Sequence, residues 1–209
     1  MCNGGWAFLF CMSIRRADIM VVRQRHFVLL DRDGTLIMEK HYLSDPAQVE
    51  LIPGAVTGLK RLSDWGVGLV VITNQSGIGR EMFTQNRLVE VHDRMCNLLL
   101  DEGISLDGIF YCPHLPGDGC ECRKPRPGLI RQAAQKLHFD PASNFMIGDK
   151  VCDVDAGLCS GATSFLVRTG YGKSVEKEGS STPDYIVDDV DAASLIIGDL
   201  IGCNKFADN

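Results

Sequence analysis

The chain has 209 residues, of which 45% are hydrophobic and 23% are charged, and its formal net charge is −6. This length suits one α/β domain with a full core, and the composition is that of a globular rather than a disordered protein. The acidic balance disfavours nucleic acid as a partner, because phosphate backbones select basic surfaces. No apolar run reaches the roughly 18 residues that a membrane-spanning helix needs. We therefore expect neither a nucleic acid nor a membrane partner.

The N-terminal segment differs from the rest of the chain. Residues 1–25 contain an apolar patch, and two arginines follow this patch instead of preceding it, which is not the order of a secretory signal peptide. We expect an extension that is disordered or comes from a misassigned start, with Met20 as the alternative first residue; a signal peptide is the less favoured interpretation. The nine cysteines are odd in number and mostly scattered, which favours a reducing cytoplasm over a disulfide scaffold.

Short β-rich runs alternate with helical patterns from residue 26 onward. Strands are predicted at 26–31, 68–73, 108–112, 144–149 and 164–168, and a weaker one at 184–187. Helices are predicted at 54–65, 84–102, 128–138 and 190–201. The polar segment 172–183 is predicted to be a mobile loop. This alternation predicts a Rossmann-like α/β fold, with a parallel sheet covered by helices on both faces, in a single domain at 26–202 and a tail at 203–209.

Two acids follow the first predicted strand in the segment Asp31-Arg32-Asp33-Gly34. Side chains alternate along a strand, so Asp31 and Asp33 point to the same side, and Gly34 permits a sharp turn after them. Paired acids at a strand end suit a divalent metal, and one acid can attack an electrophile while the other handles protons. The alternative interpretation is a solvated turn.

Polar residues follow the second strand in the same way. Thr73, Asn74, Gln75 and Ser76 precede a glycine-rich stretch, so hydroxyl, amide and backbone N–H groups can form a nest for phosphate. A capped βα-loop would use the same residues. Because the carboxyl ends of parallel strands meet at one sheet edge, these residues are expected to lie near the two acids.

Asp149 follows the fourth predicted strand. Together with Asp31 it is placed to complete a magnesium site, since Mg²⁺ prefers oxygen ligands and takes only a few of them from protein. The alternative is a helix N-cap, a common position for aspartate. Asp153 is expected to support the site from outside or to be a solvated helix residue, and not to be a direct ligand.

A metal-ligand cluster follows the third strand, at Cys112, His114, Cys120 and Cys122. Three thiolates and one imidazole can close a tetrahedral zinc site, and four protein ligands indicate a structural rather than a catalytic metal. The alternative is coincidence in a cysteine-rich chain.

Arg123 and Lys124 follow the cluster directly. Two cations on a metal-pinned loop would neutralise phosphate charge at the sheet edge. The alternative is a solvated basic pair on the surface.

Together these segments resemble the D-glycero-D-manno-heptose 1,7-bisphosphate 7-phosphatase family of the haloacid dehalogenase superfamily, over about residues 26–195. The resemblance rests on DRDGTL, TNQSGIGR, the CPH and CEC parts of the cysteine loop, RKPRPG and GDK. Histidinol-phosphate phosphatase is similar in nearly all of them and stays open as the alternative. The residues at 76–80 and 127–128 favour the heptose enzyme.

The resemblance implies a haloacid dehalogenase-like fold without a large cap domain, and magnesium-dependent phosphomonoester hydrolysis through an aspartyl-phosphate. Asp31 would be the nucleophile and Asp33 the general acid and then the base. Magnesium would be held by the carboxylates of Asp31 and Asp149 and by the Asp33 carbonyl. Thr73 and Lys124 would bind the transferred phosphoryl group. A phosphotransferase or a non-catalytic zinc-stabilised binding module are the alternatives outside this class.

The resemblance also implies a small phosphorylated sugar substrate in nucleotide-heptose biosynthesis, for a lipopolysaccharide precursor or another glycoconjugate, and a monomeric protein. Arg123 and Lys150 would hold the rest of the substrate. The family's substrate-contacting stretch corresponds to Glu39 through Tyr42, where His41 stands at a position that is glycine in many relatives.

Overall fold

The computed structural model describes residues 25–203. The predicted extension at 1–25 and the tail at 203–209 therefore lie outside the described residues, apart from Arg25 and Cys203, and the predicted domain bounds stay a prediction. No helix between residues 25 and 203 combines the length and apolarity that crossing a membrane requires.

A six-stranded parallel sheet forms the centre of the fold, in the order β3-β2-β1-β4-β5-β6. The strands are β1 Phe27–Leu30, β2 Gly68–Asn74, β3 Gly108–Cys112, β4 Phe145–Gly148, β5 Thr163–Val167 and β6 Tyr185–Val187. The helices are α1 Pro53–Asp64, α2 Gln85–Asp101, α3 Gly128–Leu137, α4 Val151–Cys159, α5 Gly172–Glu178 and α6 Val190–Leu200. The predicted parallel α/β fold is confirmed.

Helices cover both faces of the sheet because the strands are apolar on both sides. In β1, Val28 and Leu30 belong to one core cluster together with residues of α1, α2 and α6. Phe27 and Leu29 point the other way and pack with residues of α3 and α4. This alternation fixes the register, since a shift by one residue would exchange the two faces.

The sheet reverses its strand order at β1, which pairs with β2 on one side and with β4 on the other. Leu30, the last residue of β1, is aligned with Val71 of β2 and with Ile147 of β4. The ends of β1 and β4 therefore lie side by side, and β2 continues beyond them to Asn74. In open parallel sheets, ligands bind in the crevice beyond the strand ends at such a switch point. The fold therefore directs the search for a site to this edge.

The prediction of a loop at 172–183 is wrong in its first half, which forms helix α5. Val175 is buried on the inner side of this helix. Arg168, which follows β5, donates to both carboxylate oxygens of Glu176 at 2.7 Å. Gly179 ends the helix with φ 62°. The sequence predicts a loop here because a short polar helix with one buried apolar side chain shows no periodic pattern of hydrophobic residues.

Close packing of α1 against α6 generates a prediction. A Cβ added to Gly58 would lie 2.4 Å from the carbonyl oxygen of Val190, a backbone atom that cannot move aside. We expect Gly58→Ala to lower the free energy of unfolding by about 1–3 kcal/mol, although alanine favours a helix over glycine. Thr57→Ala, on the exposed side of the same helix, is the control and should change it by less than about 0.5 kcal/mol. Chemical denaturation of both variants measures the difference, and equal stabilities would contradict the packing argument.

Candidate active site

A cavity of about 280 Å³ opens beyond the ends of β1, β2 and β4. All of the predicted catalytic and substrate-binding residues line it: Asp31, Asp33, Glu39, Tyr42, Thr73, Asn74, Gln75, Ser76, Arg123, Lys124 and Lys150. Asp149 is completely buried beside this cavity and does not line it. Residues that are far apart in the sequence thus meet at the predicted sheet edge.

The ammonium group of Lys124 lies between two buried carboxylates. Its Nζ is 2.7 Å from Asp31 Oδ1 and 2.7 Å from Asp153 Oδ1, and it donates to the Ile72 carbonyl at 2.6 Å. Burial raises the pKa of Asp31, but the charges of Lys124 and Lys150 outweigh burial and hold this pKa below its ordinary value. Burial lowers the pKa of Lys124, and the charges of Asp153 and Asp31 overcome it and raise this pKa above its usual range. Asp31 is therefore an ionised carboxylate at neutral pH, as a nucleophile requires.

The main chain at Lys124 is held by Asn74, the last residue of β2. Asn74 Nδ2 donates to the Lys124 carbonyl at 3.1 Å, and Asn74 Oδ1 accepts from the Lys124 N–H at 3.0 Å. Both polar atoms of this side-chain amide therefore form hydrogen bonds with the protein main chain. The sequence predicts Asn74 at the site, and in the structure its side chain holds the main chain of Lys124 through these two hydrogen bonds.

A second network surrounds Asp33. The buried Arg32 donates from Nη2 to Asp33 Oδ1 at 2.8 Å and to Oδ2 at 2.9 Å, and from Nε to the same oxygens at 3.2 and 3.1 Å. Gln75 accepts from Arg32 Nη2 at 3.1 Å and donates to Asp33 Oδ2 and to Thr73 Oγ1, both at 2.9 Å. Sequence reasoning missed Arg32, because nothing in the pattern indicates that the middle residue of the Asp-Arg-Asp segment turns back toward its neighbour.

Asp149 lies in a cradle of glycine backbone. A Cβ added to Gly34 would lie 2.3 Å from Asp149 Oδ2, and one added to Gly170 would lie 2.1 Å from the same atom. Asp149 Oδ2 accepts from the Tyr171 N–H at 2.8 Å, whereas its Oδ1 has no hydrogen-bond partner within residues 25–203. Burial, and then the charge of Asp31, raise the pKa of Asp149 to about 8.

These acids fit a divalent cation. Asp31, Asp149 and Asp153 each offer a carboxylate oxygen within 4.8 Å of the others. Asp149 Oδ1 has no hydrogen bond from residues 25–203, and the Lys150 ammonium lies 3.9 Å from it. A hard cation would compensate its burial more fully. Asp153 Oδ1 pairs with Lys124 and its Oδ2 accepts from the Lys150 N–H at 3.0 Å, so both of its oxygens are already engaged with protein. The donor set therefore suits magnesium bound mainly through Asp31 and Asp149.

The outer wall of the cavity carries a second charged pair. Lys150 Nζ is 2.9 Å from Glu39 Oε2 and lies 4.9 Å from the centre of the Tyr171 ring. His41 and Tyr42 follow with φ 37° and 51°, a left-handed conformation that favours glycine. This explains why a glycine suits the position of His41, and it directs the His41 and Tyr42 side chains toward the cavity that they line.

The predicted zinc ligands form a compact group. His114 Nδ1 is 3.2 Å from Cys122 Sγ and 3.5 Å from Cys112 Sγ, and Cys120 Sγ is 3.5 Å from Cys122 Sγ. A tetrahedral ion with Zn–S bonds of about 2.3 Å separates its sulfur ligands by about 3.8 Å, so these four atoms fit zinc after small adjustments. Arg123 follows directly, and its guanidinium donates to the His114 carbonyl at 3.2 Å.

The cysteine loop generates a prediction about metal removal. We expect the purified protein to carry about one zinc ion and Cys122→Ser to lose it, with a loss of stability of about 2 kcal/mol or more, or about 4–8 °C in melting temperature. Elemental analysis and a thermal melt measure the two effects. Cys159→Ser, an exposed cysteine outside the loop, is the matched control and should keep both the metal and the melting temperature. Equal zinc contents in the two variants would refute the ligand assignment.

The chain is similar to proteins of known families along most of its length. A family model described as HAD-hydrolase-like matches residues 121–193. D-glycero-β-D-manno-heptose-1,7-bisphosphate 7-phosphatase of Yersinia pestis is 39% identical over 168 residues, which are 77% of this chain and 88% of that protein. The enzyme of the same name from Pasteurella multocida is 40% identical over 181 residues, covering 82% of this chain and 96% of that one.

Solved structures agree with this grouping. The crystal structure of D,D-heptose 1,7-bisphosphate phosphatase from B. bronchiseptica, complexed with magnesium and phosphate, superposes with a TM-score of 0.79 at 33% identity, covering 84% of this chain and 99% of that one. The enzyme of the same name from Burkholderia thailandensis gives a TM-score of 0.65 at 30% identity, covering 83% and 98%. The protein is a phosphatase with a haloacid dehalogenase-like fold, and it belongs to the D-glycero-β-D-manno-heptose-1,7-bisphosphate 7-phosphatase family.

Proposed function

We propose that this phosphatase removes the 7-phosphate of D-glycero-β-D-manno-heptose 1,7-bisphosphate, as a cytoplasmic step of nucleotide-heptose biosynthesis. One observation carries the chemistry: the buried, ionised Asp31 faces a cavity lined by cations, and its carboxylate lies within 4.8 Å of that of Asp149, whose Oδ1 has no hydrogen-bond partner among residues 25–203. The identity of 38–40% to enzymes of that name supports the substrate.

In the first half-reaction, Asp31 attacks the phosphorus of the 7-phosphate. A bond forms between an Asp31 carboxylate oxygen and phosphorus, and the bond from phosphorus to the sugar oxygen breaks. Asp33 gives a proton to the departing oxygen, because an alkoxide is a poor leaving group. The product is an aspartyl-phosphate on Asp31.

In the second half-reaction, water attacks the phosphorus of this intermediate. Asp33, now a carboxylate, takes a proton from the water, and the electron pair of the broken P–O bond returns to Asp31. One acid thus serves both steps, and inorganic phosphate leaves.

The transferred phosphoryl group carries charge that the site must balance. The Lys124 ammonium, the Thr73 hydroxyl and backbone N–H groups after β2 would hold its equatorial oxygens. Magnesium, held by Asp31, Asp149 and the Asp33 carbonyl, supplies when bound a positive charge that offsets the repulsion between carboxylate and phosphate. Zinc in the cysteine loop has a structural role in this proposal.

The remainder of the substrate would bind at the outer wall. Arg123 and Lys150 offer cations there for the second phosphate, and Glu39 and Tyr42 offer acceptors and a donor for sugar hydroxyls. Ser76 adds a hydroxyl at the rim of the same cavity.

Substrate preference tests the proposal. With magnesium present, we expect kcat/KM for the β-anomer of heptose 1,7-bisphosphate to exceed that for histidinol phosphate by about 100-fold or more, because the outer wall is built for a second anion. Phosphate release, measured side by side with both anomers, provides the comparison. A preference for histidinol phosphate would keep the fold and the chemistry but overturn the proposed substrate.

The nucleophile assignment has its own test. Asp31→Asn removes the attacking oxygen's charge and should lower kcat by about 10³-fold or more. Asp155→Asn, a substitution on α4 outside the cavity, serves as the control and should retain wild-type turnover. Unchanged turnover in Asp31→Asn would exclude this carboxylate as the nucleophile.

A further inference from the structure

Arg32 is buried in a way that stability alone does not account for. It is only 1% exposed, and its charged partner is Asp33, whose side chain is 15% exposed at the cavity. Arg32 Nη1 is buried without a hydrogen-bond partner in the part of the chain that the structure describes. Burying a cation with an unsatisfied N–H costs free energy that a well-packed apolar side chain would not. The arrangement therefore points to a requirement at Asp33.

The hydrogen-bond donors around Asp33 restrict the orientation of its carboxylate. Three N–H groups reach its two oxygens: Nε and Nη2 of Arg32 and Nε2 of Gln75. A carboxylate has about four acceptor positions, so about one remains. The surroundings therefore fix one orientation of the remaining acceptor position on Asp33.

Gln75 connects this carboxylate to the phosphate side of the site. Its Oε1 accepts from Arg32, while its Nε2 donates both to Asp33 and to the hydroxyl of Thr73. The acid that follows β1 and the hydroxyl at the end of β2 are thus held at a fixed separation by one amide. Water attacking a phosphoryl group held at Thr73 would find the free acceptor position of Asp33 in a constant place.

We propose that Arg32 and Gln75 form a positioning clamp, which holds the Asp33 carboxylate in the orientation needed to take the proton of the attacking water in the second half-reaction. This inference rests on the proposed roles of Asp31 and Asp33. When the leaving group needs no proton, only the second half-reaction uses Asp33. Loss of the clamp should therefore slow hydrolysis of the aspartyl-phosphate much more than its formation from such a substrate.

A substrate with a good leaving group separates the two steps. p-Nitrophenolate leaves phosphorus without needing a proton, so with p-nitrophenyl phosphate only hydrolysis of the intermediate depends on Asp33. Rapid mixing gives the rate of the first turnover from p-nitrophenolate release. An acid quench followed by intact-protein mass measurement gives the fraction of enzyme that carries a phosphoryl group.

The variants are Arg32→Met and Gln75→Met, which both remove the donors; methionine matches glutamine in length and fills part of the volume of arginine. For Arg32→Met we expect a first turnover within about 3-fold of wild type, steady-state turnover lower by about 10- to 100-fold, and accumulation of phosphoenzyme. For Gln75→Met, the lost hydrogen bond to Asp33, of about 1 kcal/mol, predicts about 5-fold slower turnover with the same accumulation. Gln75→Met carries the test alone if Arg32→Met does not fold.

Arg25→Met is the matched control, because Arg25 forms a two-bond pair with Asp107 far from the cavity, at 2.6 and 3.1 Å. It should leave both rates unchanged. A clamp with a merely structural role would lower the first turnover and the steady state by the same factor, and that result would overturn the inference, as would unchanged turnover in the variants.

Asp33→Asn distinguishes the failure of this inference from the failure of the proposed function. If Asp33→Asn traps the phosphoenzyme and the clamp variants do not, the clamp alone is refuted. If Asp33→Asn turns over like wild type, the proposed role of Asp33 fails and the clamp fails with it.

Discussion

The buried ammonium group of Lys124 is the constraint on which the rest of the site depends. A charge that is 3% exposed cannot be stabilised by water, so protein must supply its partners. Asp31, Asp153 and the Ile72 carbonyl supply them. These three groups come from the end of β1, the first turn of α4 and β2. Removing the ammonium would leave two buried carboxylates without this cation, so the ion cluster ties the three segments together at the sheet edge.

The cysteine loop determines where that ammonium group lies. Cys120 and Cys122 come directly before Arg123 and Lys124, so a metal that fixes the thiolates also fixes the chain that carries the lysine. Protein contacts act in the same direction: Arg126 donates to the carbonyls of Gly119 and Cys120. Asn74 then holds the Lys124 backbone from the opposite side, at the end of β2. The loop is therefore connected to the candidate site through the position that it gives to Lys124.

Much of this arrangement could be predicted from the sequence, for a physical reason. Parallel strands that are buried on both faces appear in the sequence as continuous apolar runs. Their carboxyl ends meet at one edge of the sheet, so the polar residue after each run lies in the site. Asp31, Thr73 and Asp149 were found in this way. Asp153 was left between supporting the site and being a solvated helix residue, and Arg32 was given no role, because the contacts of both depend on the direction of a side chain rather than on a place in a strand. Helix α5 was missed because its stability comes from one buried valine and from the Arg168–Glu176 pair.

The surroundings of Asp149 extend this reasoning to the metal. Gly34 and Gly170 come so close to its carboxylate that no side chain fits at either position. Both positions are therefore restricted to glycine, and Asp149 Oδ1 is buried without a hydrogen bond from residues 25–203, so that this acid can lie beside Asp31. Two carboxylates at such proximity repel each other, which is why the charge of Asp31 helps to raise the pKa of Asp149. A bound divalent cation would reverse that repulsion and satisfy the orphaned oxygen. The free-energy cost of burying two neighbouring carboxylates is therefore paid at the position where cation binding can offset it. Such departures from ordinary packing are expected at functional sites.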